Sequence, residues 1–341
     1  MNQNFQDAMT KGRKLQLLAL FLALAVGGLV YAFMKPPDPV YRGKPLSVWV
    51  SSMTEHDAMI GRFNSELNTV IQELDQQGIK RLGEYVGGRS LSQRKYYKAV
   101  YDVLPGKAKR LFPAPDLKQK FRIKAAVILA ELKQKARPAM PHLIAAVSDT
   151  ELNGRVRELA ARTLLHFGPD AEPGIRALTK ALNDRDEMIV ECAARALGAI
   201  GPAARSSLSV LESKLGDRRD YVTVALAEAI WQIDPTKADR LAPILRECVQ
   251  HTNAYSRVYG SKILWAVSND GATVVPVLTG VVVDTNLVSF HQWSIMLLGD
   301  MGLAASNAVP LLEAKTRYGG MFADSIQKVA QEALSKITNA P

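Results

Sequence analysis

The side chains that most often do chemistry are few in this sequence and scattered. Five histidines, His56, His142, His166, His251 and His291, stand far apart and form no His-x-x-x-His pair that would aim two ring nitrogens at one metal. Cys192 and Cys248 are too few for a zinc site, and the helical phase puts them on different layers, so no disulfide is expected. A Gly-x-Ser-x-Gly nucleophile elbow, a phosphate-cradling Walker loop and a dinucleotide fingerprint after a strand are all missing from the sequence. His166 sits where a helix ends and suits the negative end of its dipole. Asp184-Arg185-Asp186 and Asp217-Arg218-Arg219-Asp220 fit helix caps and local ion pairs, with a ligand-lining ridge as the alternative. No catalytic residue, cofactor contact or metal ligand is assigned, and binding is the chemistry left.

Two groups of residues suit binding. Trp231 and Trp265 are equivalent by the phase described below and would form an aromatic floor for a peptide or a ring-bearing ligand; the alternative is packing between helices. Trp293 stands apart from them in phase. The second group is electrostatic. Residues 80–137 carry 16 basic and 4 acidic side chains, more than the whole net charge of +10, while residues 1–79 carry 7 of each and residues 138–341 carry 20 and 22. Within the basic stretch, Lys107, Lys109, Arg110, Lys118 and Lys120 are the candidate contacts to an anionic surface. A solvated face, an anionic lipid head group and another polyanion compete for it, and nucleic acid is the least favoured partner for an anchored chain.

The elements that must position these residues are helices in a repeat. Val156 to Ala171 and Ile189 to Ala204 match with every position shifted by 33, and each copy is followed by a second short apolar stretch. The apolar residue ending each first helix recurs as Leu132, Phe167, Ile200, Ile233, Val267, Met301 and Leu334, at intervals of 35, 33, 33, 34, 34 and 33. Turns such as Gly168-Pro169-Asp170-Ala171 and Gly201-Pro202-Ala203-Ala204 recur with the same phase, because Gly ends a helix and Pro suits the start of the next. The Val-rich run from Ala272 to Val283 is read as helix by this phase. A single helix pair buries too little apolar surface alone and must stack on its copies.

These residues resemble HEAT repeats of the short bacterial kind, also found in bilin-lyase relatives, over about Lys118 to Thr338. The form Val-Arg-x-x-Ala-Ala-x-x-Leu-x-x-x-Gly-Pro carries the resemblance, although Val190 and Thr223 replace the usual Arg. The resemblance implies an all-α, right-handed α-solenoid of about six pairs whose concave face binds a protein or peptide, without catalysis. It also implies a rival, a bilin-lyase-like enzyme or accessory protein that handles a tetrapyrrole.

The chain before the repeats divides as residues 1–14, a short polar tail; 15–34, an anchor; 35–50, a Pro-rich linker; and 51–117, degenerate helical repeats that turn basic from residue 80, ahead of the array at 118–338. Leu15 to Phe33 has no charge and as a helix spans roughly 28 Å, enough for one transmembrane helix. Tyr31-Ala32-Phe33-Met34 is a poor cleavage site, so an uncleaved anchor is expected. Lys11, Arg13 and Lys14 favour an N-terminus inside, with the repeats periplasmic or extracellular. Tyr41-Arg42-Gly43-Lys44-Pro45-Leu46-Ser47-Val48-Trp49 is similar to the Tyr-x-Gly-x-x-Leu-x-x-Trp segment of membrane-anchored bacterial HEAT-repeat proteins. His56 to Gln77 reads as one amphipathic helix ended by Gly78, Ile79 to Val86 as a short partner helix, and Ser90 to Leu104 as another helix.

Overall fold

The computed structural model describes residues 38–87, 102, 115–216 and 220–339, in two units, residues 1–49 and 50–341. The expected anchor at 15–34 and the helix at 90–104 lie outside the described residues, apart from Asp102. Among the described residues no single helix is long and apolar enough to cross a membrane.

In the first unit the chain reverses. Strands β1 (Val40–Tyr41) and β2 (Lys44–Pro45) pair antiparallel, and Arg42 and Gly43 between them take φ of +49° and +75°. Two successive left-handed residues are what a two-residue hairpin needs. Helix α1 (Leu46–Ser52) follows, with Leu46 and Trp49 buried. The Trp49 indole N–H donates to the Tyr41 carbonyl at 2.8 Å, and the Lys44 ammonium lies 4.7 Å from the indole centroid.

The single helix expected from His56 to Gln77 is broken in two, and the partner helix expected at Ile79 to Val86 follows them. Helix α2 (Glu55–Ile60) ends where Gly61 turns left-handed, α3 (Ser65–Glu73) begins at the Asn64 cap, and α4 (Gln76–Gly87) begins after Asp75, whose carboxylate accepts from the Gly78 N–H at 2.8 Å. Gly78 therefore opens a helix. The apolar period ran through the breaks and hid the caps.

From residue 115 the helices alternate. The leading helices are α5 (Pro115–Leu132), α7 (Gly154–Leu165), α9 (Glu187–Ile200), α11 (Asp220–Ile233), α13 (Ala254–Ser268), α15 (Val288–Asp300) and α17 (Ala323–Thr338). Between them run the returning helices α6 (Met140–Ser148), α8 (Ile175–Ala181), α10 (Leu208–Ser213), α12 (Ala238–Cys248), α14 (Gly271–Val283) and α16 (Val309–Lys315). The Val-rich run is thus helix α14, as its phase required. Successive leading helices pack on one another, and from α7 onward each also packs on a returning helix, which makes two layers.

Short-range chemistry sets the boundaries. Asn153, Asp186 and Asn253 cap α7, α9 and α13 by accepting from the N–H groups of Arg155, Met188 and Tyr255 at 2.8, 3.0 and 2.9 Å. Gly168, Gly201 and Gly302 stop α7, α9 and α15 with φ of +56°, +76° and +57°. The core lies between the layers, where Phe167, Ile200, Ile233, Leu178 and Leu211 are buried together with the alanines of α7, α9 and α11.

Candidate functional site

Counting back 12, 9, 8 and 5 residues from the apolar residue that ends each leading helix selects one face, because a helical turn takes 3.6 residues. On α7 these positions hold Arg155, Glu158, Leu159 and Arg162; on α9, Met188, Glu191, Cys192 and Arg195; on α11, Tyr221, Val224, Ala225 and Glu228. On α13 they hold Tyr255, Val258, Tyr259 and Lys262, and on α15, Ser289, Gln292, Trp293 and Met296. The face changes from charged to aromatic along the stack.

Its charged half is closed on itself. Glu158, buried, is held by Arg155 at 2.8 Å and Arg162 at 2.6 Å, and Glu191 by Arg195 at 3.1 Å. Burial pushes the Cys192 thiol up to about 12, with Glu191 and Glu158 adding to the shift and Arg162 opposing it. A buried thiol held protonated is neither nucleophile nor metal ligand at neutral pH.

At the centre, Tyr255 on α13 reaches α9. Its hydroxyl donates to Glu191 Oε1 at 2.9 Å and accepts from the Arg195 guanidinium, and that guanidinium lies 4.9 Å from the Tyr259 ring centroid. Burial, ahead of the charges around it, raises the Tyr255 pKa, so the hydroxyl stays protonated. Helix α11 lies between these helices in the stack. Packed helix axes stand about 8–10 Å apart, so a straight stack would separate α9 and α13 by roughly 16–20 Å. The long side chains of Tyr255, Glu191 and Arg195 span that interval, and the small side chains of Val224 and Ala225 leave the path over α11 clear.

Beyond this clasp the face is open. Tyr255 and Tyr259 stack at 4.3 Å, Tyr259 meets Trp293 edge to face at 5.3 Å, and Phe290 approaches Trp293 at 6.5 Å. Trp293 is 47% exposed and Met296 46%. Between α13 and α15 lies a cleft of about 220 Å³ lined by Val258, Tyr259, Lys262, Trp293, Met296, Leu297 and Asp300.

The cleft follows from one register position, two residues before the end of each leading helix. In α9 it is Gly198 and in α15 it is Gly299, where an added Cβ would come within 2.8 Å of Ala229 Cα and 2.7 Å of Ala333 Cα. At these glycines the next leading helix comes into backbone contact. The same position in α11 and α13 is Trp231 and Trp265, both half-buried. A bicyclic ring there forbids such an approach, and α13 and α15 are the least closely packed neighbours in the leading layer. The two tryptophans singled out by sequence thus sit at the spacing position, with the Trp265 ring edge 3.6 Å from a Cβ built at Gly271. The open aromatic cluster of Tyr255, Tyr259, Trp293 and Met296 was not singled out.

The basic candidates are less gathered. Lys107, Lys109 and Arg110 lie outside the described residues. Lys118 and Lys120 lie on α5, and Lys120 pairs with Glu55 at 2.6 Å in an exposed contact. The histidines stay dispersed. His291 is buried and its Nε2 lies 2.9 Å from the Asp284 carbonyl oxygen; burial holds its pKa below the ordinary value, as it does for His142 and His166. Among the described residues no group of three or more His, Cys, Asp or Glu is placed to hold a metal ion. Asp184 and Asp186 act structurally: Asp186 caps α9, and Asp184 pairs with the buried Arg157 at 2.5 Å.

Stacked helix pairs with a period of 33 to 35 residues and a two-layer core define an α-solenoid repeat protein. Residues 140–231 match the family model for HEAT repeats. No curated protein matches the chain. Among solved structures it is similar to an engineered protein at 16% identity and a TM-score of 0.40, covering 87% of this chain and 98% of that one. It is also similar to a designed armadillo repeat protein in complex with the peptide (KR)4, at 16% identity, a TM-score of 0.29, and 64% and 94% coverage. Human deoxyhypusine hydroxylase in complex with glycerol matches at 16% identity and a TM-score of 0.31, with 80% and 99% coverage. Likeness at these values carries no argument about what this chain binds.

Proposed function

We propose that this chain is a membrane-anchored, non-catalytic HEAT-repeat scaffold that binds a protein or peptide partner on the inner face of its leading helices. The observation that carries the reading is the half-exposed cluster of Trp293 and Met296 beside Tyr255 and Tyr259, on a face whose other half is closed by ion pairs. Aromatic and Met side chains grouped beside an open cleft are what a binding hot spot requires. The anchor is residues 15–34, with the repeats on the periplasmic or outer side of the membrane. A thiol-based attachment of a tetrapyrrole has no support from Cys192, which is buried and protonated.

The test is site-specific photo-crosslinking of the full chain in its native membrane. A photoreactive residue at position 296 yields one discrete adduct, and the same residue at position 240, on the opposite layer, does not. Equal adducts from both positions, or none from 296, overturn the assignment of the face.

A further inference from the structure

The cleft between α13 and α15 is small and chemically one-sided. Its volume of about 220 Å³ falls below the ~300–1,000 Å³ of sites that enclose whole small molecules, and suits one inserted side chain. Tyr259, Trp293, Met296, Val258 and Leu297 make its walls apolar. Two charges flank it, and they differ in availability. The Asp300 carboxylate accepts from the Lys336 ammonium at 2.6 Å. Lys262 is 58% exposed along its side chain, and the nearest carboxylate recorded for it, Glu228, stands at 3.7 Å, beyond hydrogen-bond length. A cationic anchor entering the cleft meets the Lys262 charge and finds Asp300 already engaged. An apolar anchor with a carboxylate beside it meets a ring wall and an exposed ammonium whose ion pair with Glu228, at 3.7 Å, leaves its N–H donors for a second carboxylate.

We infer that this cleft takes one apolar side chain, aromatic or Met/Leu, from an extended partner segment that carries an Asp or Glu next to the anchor, and that Lys262 receives this carboxylate. The inference rests on the reading that the inner face of the leading helices binds the partner. The partner class is a peptide segment and not a folded apolar surface, because the cleft admits one side chain and is flanked by the charged residues Lys262 and Asp300.

The test is selection of displayed random peptides on the purified full chain, beside its Trp293→Ala, Met296→Ala and Lys262→Glu variants. All three replaced side chains are exposed by 46% or more, so the helices remain folded, which circular dichroism verifies. The expected peptides carry an apolar anchor with Asp or Glu within two positions. Trp293→Ala weakens them by roughly 30-fold, the loss of a hot-spot aromatic. Lys262→Glu weakens them by about three- to tenfold and shifts the selected neighbour from acidic to basic while the anchor persists. Peptides that depend on Trp293 but show no acidic preference, or a basic one, overturn this inference and leave the binding face standing. Peptides indifferent to both Trp293 and Met296, or no selection above the Trp293→Ala background, overturn both. Sedimentation of the full chain supplies the remaining outcome: a dimer abolished by Trp293→Ala assigns the cleft to a second copy and overturns the peptide assignment.

Discussion

Replacing Tyr255 by Phe removes one oxygen and keeps the ring. The stacking on Tyr259 at 4.3 Å survives, and no sizeable cavity forms. What disappears is the hydrogen bond to Glu191 at 2.9 Å and the one accepted from Arg195, both to charged partners in a largely buried site. Hydrogen bonds to charged groups contribute about 1.5–3 kcal/mol each, and Glu191 keeps its Arg195 contact at 3.1 Å, so the net cost is about 2–3 kcal/mol. In a body of this size about 1 kcal/mol shifts Tm by roughly 2–4 °C, so the midpoint falls by roughly 4–12 °C. Repeat arrays do not always unfold in one step, so the assay pairs thermal unfolding of the full chain with amide hydrogen exchange. Protection drops together in α9 and α13, which are not neighbours in the stack. A double-mutant cycle with Glu191→Ala gives a coupling of about 1–3 kcal/mol. A loss below about 0.5 kcal/mol, or loosening of α13 alone, refutes the clasp.

Other outcomes follow from the same geometry. Gly299→Ala puts a methyl group within 2.7 Å of Ala333 Cα and destabilises by about 1–3 kcal/mol through overpacking, read by urea unfolding; a neutral effect refutes the close approach of α15 and α17. Asp184→Ala leaves the buried Arg157 guanidinium without its carboxylate, keeping the bonds to the Val147 carbonyl at 3.4 Å, and costs about 3 kcal/mol, whereas Arg137, in its exposed pair with Asp170 at 2.5 Å, tolerates Ala with less than about 1 kcal/mol lost. Burial holds the His291 pKa below its unfolded value near 6.5, so the unfolded chain takes up the proton first as pH falls. Stability is therefore untouched by this group above about pH 6.5 and declines as pH falls through that value, until the folded imidazole also titrates. His291→Gln flattens that decline, and an unchanged pH profile counts against it. Protease added to intact spheroplasts degrades the chain beyond residue 34 if the repeats face outward, and full protection contradicts that orientation.

The repeat was legible because it is a period, and a period needs no tertiary information. Phe167, Ile200 and Ile233 mark the core from sequence, and all three are buried. The helices before residue 88 were less legible, because an apolar period from Ile60 to Leu74 continues across Gly61 and Asn64, while the breaks are made by a left-handed glycine and a side-chain cap. The hairpin at 40–45 was hidden by its prolines, which suggest a rod. At the site the register held more than was drawn from it: Tyr259 and Trp293 share a position eight residues before their helix ends, but one is Tyr and the other Trp, so they do not look like copies. Trp231 and Trp265 do look like copies, and only the contacts of Gly198 and Gly299 reveal that their position sets helix spacing. The link from Tyr255 to Glu191 joins residues 64 apart and depends on how helices two repeats apart are stacked, which no local pattern encodes.

The most direct test of the account is the affinity of the crosslinked partner for the full chain with Trp293→Ala and Met296→Ala together, beside Arg240→Ala on the opposite layer. The account predicts a loss of at least roughly 30-fold for the inner-face pair and less than about threefold for the control. An inner-face double variant that binds as tightly as the unaltered chain contradicts it.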